Sequence, residues 1–168
     1  MGVSSVLLKL HLLTTMRSTQ DLIRHGVAQG VIEVHHRSEI KEEDVIKSIL
    51  NDTLAAYDVV ALVVKGNCNL SSDKISEIHS KLMATARFHG PHYVPPGDTC
   101  TTTRHTVYVN TPTGRVKFCP YTMVDSELVA ICRSAKALME NMTNLFAVAS
   151  WLHLVLARCH PLMTEMGE

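Results

Sequence analysis

The sequence predicts a mainly α-helical fold, a bundle carrying one small β-hairpin, on three observations. Long stretches repeat apolar residues at spacings of three and four, only two short runs are β-prone, and glycine and proline crowd into one segment ahead of them. The chain has 168 residues and 46% hydrophobic content, enough to bury one sizeable core.

Each element follows from its own signals. Residues 1–30 are expected to be an N-terminal segment of one or two weaker helices, broken near Gly26 and Gly30, and residues 31–168 the main domain. In "KEEDVIKSILNDTLAAYDVVALVV", residues 41–64, one apolar stripe runs through Val45, Ile49, Ala56, Val60 and Val63 and a second through Ile46, Leu50, Leu54 and Tyr57. This spacing predicts a helix with a wide buried face, stopped by Gly66 and Asn67. Ser71 is placed to cap the next helix, Leu70 to staple onto Ile75, and Ile75, Ile78 and Leu82 to face the core. "HGPHYVPPG", residues 89–97, is a loop. "HTVYVN" and "GRVKFC", joined through "TPT" and Gly114, read as a hairpin with alternating side chains. Two strands alone are marginal in water, so the hairpin is expected to lie against helices. Pro120 closes it, and Asp125 or Ser126 is expected to cap a helix whose apolar positions are Leu128, Ile131, Ala135, Leu138 and Met142. "NLFAVASWLHLVLARC" is apolar almost all round and is expected at the centre of the bundle.

Composition narrows the function. Lys plus Arg equals Asp plus Glu at 16 each, so no net field draws the chain to nucleic acid or to an anionic membrane. The ten histidines are scattered and lack zinc-site spacing with cysteine. Five well-separated cysteines, odd in number and without C-x-x-C, favour reduced thiols in a cytosol or nucleus. Lys9 and His11 interrupt the apolar start, against a signal peptide, and Val6 stands where myristoylation wants Ser or Thr. No run approaches the roughly 20 apolar residues of a membrane span.

Several segments share order and spacing with one family. Ala149, Leu152, His153, Leu156, Cys159, His160 and Pro161 fall in register with A-x-x-L-H-x-x-F-x-x-I-H-P-F, and "KISEIHSKLM" is similar to a second helix of the same proteins. "PGDTCTTTR", "HTVYVN" and "VKFCPYTMVDSEL" follow in order. Over roughly residues 30–161 the chain resembles the Fic (Fido) domain of protein adenylyltransferases. The resemblance implies a Fic-type bundle and AMP transfer from ATP-Mg²⁺ to a Ser, Thr or Tyr hydroxyl of a protein substrate. His160 would be the general base. The flap hairpin would hold the target segment by β-strand addition, with Arg104, Thr106, Tyr108, Lys117 and Phe118 as candidates. A hairpin that only covers the core is the alternative for those five.

The family's active loop, HPFxDGNGR, supplies a metal-binding acid, an anion nest of backbone N–H groups and a phosphate-binding Arg. Here the match survives at His160, Pro161 and Gly167, which leaves Gly167 as the one nest candidate. Leu162 replaces Phe, Thr164 the acid, Glu165 and Met166 the Gly-Asn pair, and Glu168 the Arg. An acid in place of Arg repels phosphate. The chain as written is therefore expected to be inactive, incomplete at its C-terminus, with ATP and Mg²⁺ binding lost.

One reading explains why the departures cluster. Removing the third base of the proline codon from a coding of His-Pro-Phe-Asn-Asp-Gly-Asn-Gly-Arg yields His-Pro-Leu-Met-Thr-Glu-Met-Gly followed by Glu or Asp, which matches residues 160–168. Substitution in a degraded homologue is the alternative. "QGVIEV", residues 29–34, faintly matches the family's inhibitory helix, so Glu33 is either an inhibitory residue or a solvated helix carboxylate. His160 also suits a helix C-terminus through the macrodipole alone, and His153 and His79 read as packing or buried hydrogen-bonding groups. A non-catalytic protein-interaction module and a non-functional truncation product stand as other readings of the whole chain.

Overall fold

A computed structural model describes residues 32–34, 36, 38, 40–88 and 93–162. The expectations for residues 1–30, for residues 89–92 of the 89–97 loop and for Gly167 lie outside these.

Helix α1, Glu43–Val64, opens with Glu43 and Asp44, whose charges suit the free N–H groups of a first turn. It ends where the sequence requires. Gly66 takes φ +74°, its N–H bonds to the Val63 carbonyl and the Asn67 N–H to that of Leu62, both at 3.0 Å, a Schellman stop. The buried face is narrower than the two stripes suggest. Ile46, Ile49, Ala56 and Val59 are buried, whereas Leu54 and Tyr57 are 50% and 59% exposed and Val60 is exposed too. Among the described residues, α1 packs chiefly on the next helix, so one side of its C-terminal half is left uncovered.

Helix α2, Ser72–Leu82, is capped as predicted, the Ser71 hydroxyl accepting the Lys74 N–H. Leu70 packs on the cluster that contains Ile75. Ile75 is buried and Ile78 and Leu82 are half-buried, but His79 is deeper than either of the latter. The Asp52 carboxylate on α1 accepts the Thr85 N–H at 2.7 Å and ties the two helices beyond the end of α2. A 3-10 turn, Ala86–Phe88, follows.

A short helix α3, Cys100–Thr103, precedes the hairpin of β1, Tyr108–Thr111, and β2, Gly114–Lys117. The strands are antiparallel, Tyr108 opposite Lys117 and Thr111 opposite Gly114. The expected alternation against helices is only half present, since β1 alternates exposed and half-buried positions and β2 is exposed throughout. The flanks do the anchoring: Val107 and Cys119, just outside the strands, pack on the core.

Helix α4, Tyr121–Asn141, begins earlier than expected, with Pro120 at the N-cap instead of Asp125 or Ser126. Its free N–H at Tyr121 is satisfied from elsewhere, by the Thr106 hydroxyl at 3.1 Å. Asp125 accepts the Thr99 hydroxyl instead, and the Ser126 hydroxyl donates to the Met123 carbonyl. Leu128, Ile131 and Ala135 are buried as the spacing requires, while Met142 is exposed. Helix α5, Leu145–Cys159, is capped by the Asn144 side chain. It is not wrapped on all sides. Val148 and Cys159 are buried, but Leu145, Phe146 and Leu154 are 66%, 87% and 66% exposed. Its one covered side packs on α4, which in turn touches α2 and α3.

Among the described residues most of the buried side chains fall into three clusters, with Leu156 reaching two of them and Ala86 bridging to the third. No described helix is long and apolar enough to cross a membrane.

Candidate functional site

Helix α5 stops at His160 because Pro161 cannot continue it and disfavours helical backbone at the residue before it. His160 takes the left-handed conformation, φ 49° and ψ 60°, and its N–H still bonds to the Leu156 carbonyl at 2.8 Å. Few side chains adopt that geometry, histidine more readily than most. The turn is held from outside. The Cys100 N–H donates to the Pro161 carbonyl at 2.8 Å, the Cys100 thiol donates to the His160 carbonyl at 3.4 Å, and Thr99 pairs with Leu162. Pro161 is buried, and Leu162 packs on the cluster of Ile75, Leu128 and Cys132.

The His160 imidazole is half-buried, with the Phe118 ring 4.9 Å away between centroids and tilted by 38°. Burial pushes its pKa below the ordinary histidine value, so at neutral pH the ring is uncharged and able to accept a proton. The α3 segment is itself seated by Gly97, whose φ is +82° and whose N–H donates to the buried His79 Nδ1 at 3.0 Å. His79 thus has the buried hydrogen bond the sequence suggested. His153 does not: it is exposed on α5, beside the exposed Leu154.

The five flap candidates divide. Phe118 lies beside His160. Tyr108 and Lys117 are on the open face, where Arg115 sits 3.9 Å and Lys117 5.9 Å from the Tyr108 ring centre. Thr106 is engaged in capping α4. Arg104 lies ahead of the strands, exposed, at φ 55° as the C-cap of α3. Glu33 is exposed in non-helical chain between buried Ile32 and half-buried Val34. Those two β-branched residues alternate onto the α1 core and favour extended backbone, so the helix expected around Glu33 is absent there.

Two features escaped the sequence. The pairing of Cys100 with Pro161 is made by backbone groups and leaves no residue signal. The sharing of one apolar cluster by Cys119 and Cys159 leaves only their cysteine identities. Among the described residues no three His, Cys, Asp or Glu side chains stand together as metal ligands. The Phe118 ring and the Cys100 thiol both border His160.

These features define a class: a helical bundle whose last described helix ends in a left-handed histidine under the base of a β-hairpin. The chain has the fold of a Fic domain. It superposes on the crystal structure of a Fic domain-containing signaling protein from Bacteroides thetaiotaomicron with a TM-score of 0.66, at 14% identity, covering 95% of this chain and 54% of that one. The chain thus spans about half the length of that protein. No family model and no curated protein sequence matches it.

Proposed function

We propose that this chain is a Fic-fold protein whose ancestral chemistry is AMP transfer from ATP-Mg²⁺ to a protein hydroxyl, and that the chain as written does not perform it. The observation that carries the reading is the pairing of a placed base with an unsuitable loop. His160 is neutral, pinned at the C-cap and flanked by the hairpin, as a general base for a target hydroxyl should be. Past Leu162 the sequence supplies Thr164, Glu165, Met166 and Glu168, which do not suit a triphosphate: the loop has no cation and two carboxylates. That donor set does not fit ATP-Mg²⁺.

The test is transfer of labelled AMP to protein acceptors with Mg²⁺ present. The chain as written should give none. A version with residues 162–168 replaced by the family loop and extended by one further helix should label itself or an added acceptor. Labelling by the chain as written overturns the reading of the loop, and a folded restored version that stays silent overturns the reading of His160. The exposed apolar side of α5 and the open hairpin face favour a second reading, a non-catalytic interaction module. A soluble partner complex formed without any nucleotide affinity would select it.

A further inference from the structure

The cysteines have a use that neither the fold nor the proposed chemistry absorbs. Phe118 and His160 meet ring to ring, and the residues next to them in sequence, Cys119 and Cys159, belong to one apolar cluster and line one groove. Two chain segments distant in sequence thus run side by side for at least a residue each. The two thiols are close enough for each to perturb the other's acidity, and Cys119 donates to the Pro120 carbonyl at 3.7 Å. Cys119 is half-buried and Cys159 buried, and both line one groove of about 550 Å³ between the foot of β2, α4 and α5. A small oxidant can therefore reach Cys119 from solvent, with the more buried Cys159 lining the same groove.

We infer that Cys119 and Cys159 form an oxidisable dithiol, a modification site for hydroperoxides that locks the hairpin to the end of the His160 helix. In the first step the Cys119 sulfur attacks one peroxide oxygen, the O–O bond breaks, and the leaving hydroxide takes the thiol proton as water. Cys119 is then a sulfenic acid. In the second, the Cys159 sulfur attacks the Cys119 sulfur, the S–O bond breaks, and the departing hydroxide takes the Cys159 proton. The sum is two thiols and one hydrogen peroxide giving one disulfide and two waters, a two-electron oxidation of sulfur.

The order of the steps is set by access and acidity. Burial raises both thiols above the ordinary range, Cys159 to about 12, so neither is a thiolate at neutral pH and the reaction is slow there. Cys119 faces the groove and is the less buried, which makes it the first to react. Cys100 belongs to the same core but donates to the His160 carbonyl and is fully buried, which keeps it out of the exchange. The bond would tie residues 118–119 to 159–160 and hold Phe118 over the imidazole.

The experiment is a peptide map of the reduced, desalted chain after exposure to hydrogen peroxide and alkylation of residual thiols. The Cys119–Cys159 cross-link should be dominant, on the order of tenfold over any other pair, because these two thiols share the groove and the stacked neighbours hold their segments together. Amide exchange over residues 114–119 and 156–160 should slow in the oxidised form and recover on reduction. Cys119→Ser and Cys159→Ser should each lose the link, and Cys100→Ser should keep it. Cys119 recovered mainly as sulfinic acid, or joined as often to Cys68 or Cys100, overturns the proposal. The map on the unmutated chain decides this even if a variant fails to fold.

Discussion

His160 concentrates the physics of the site in one residue. Its backbone is left-handed, its carbonyl is bonded to a thiol, and its ring is desolvated beside Phe118. A histidine whose folded pKa is depressed makes the unfolded chain the better proton acceptor. Stability from this group is then complete above the ordinary value of about 6.5 and is lost as pH falls through the lowered folded value. Urea titrations at several pH values should show the wild-type midpoint falling over that acid range more steeply than that of His160→Gln. Equal slopes would mean that the ring is not desolvated. The placement of His160 was legible in the sequence only through the ordered resemblance of the surrounding segments. Nothing local marked its neighbours, because the bond from Cys100 to Pro161 is made by backbone that every sequence has. His153 carries the complementary lesson: it read as a packing or hydrogen-bonding group but is exposed, because which parts of a helix are covered depends on partners that periodicity does not name.

At the scale of elements, local signals succeeded and remote ones were invisible. Ser71 and Gly66 act on backbone groups within a few residues, so their roles could be read directly. Helix α4 was started late because its first N–H is satisfied by Thr106, on the far side of the hairpin. The two positive-φ glycines that flank α2 offer a graded test. A Cβ on Gly66 would meet nothing within 4 Å, so Gly66→Ala should cost only the left-handed backbone strain, about 1 kcal/mol. A Cβ on Gly97 would lie 3.1 Å from the Ser76 carbonyl oxygen and 3.2 Å from the Ser80 Cβ. Because that carbonyl belongs to a helix and cannot retreat freely, Gly97→Ala should cost more, roughly 2 to 3 kcal/mol. Denaturant midpoints would rank the two. Equal losses would place the loop carrying Gly97 off α2, and with it the segment that pins Pro161.

For the whole molecule, the sequence announced a bundle but not how much of it would be covered. Apolar periodicity reports that a face wants burial, and Leu54, Tyr57, Phe146 and Leu154 all satisfied that reading while remaining exposed. The α5 side bearing Leu145, Phe146 and Leu154 is the larger liability. Light scattering after gel filtration should show concentration-dependent association of the chain. The double variant Phe146→Lys, Leu154→Lys should reduce it without loss of helicity, and a wild-type chain that stays monomeric at high concentration would contradict the prediction. The central claim is that a competent base has been kept while the nucleotide site has not. It is tested most directly by following the His160 imidazole by NMR during titration with ATP and Mg²⁺, alongside calorimetry. The account predicts no saturable heat and no shift of the His160 resonances; saturable binding that moves them would contradict it.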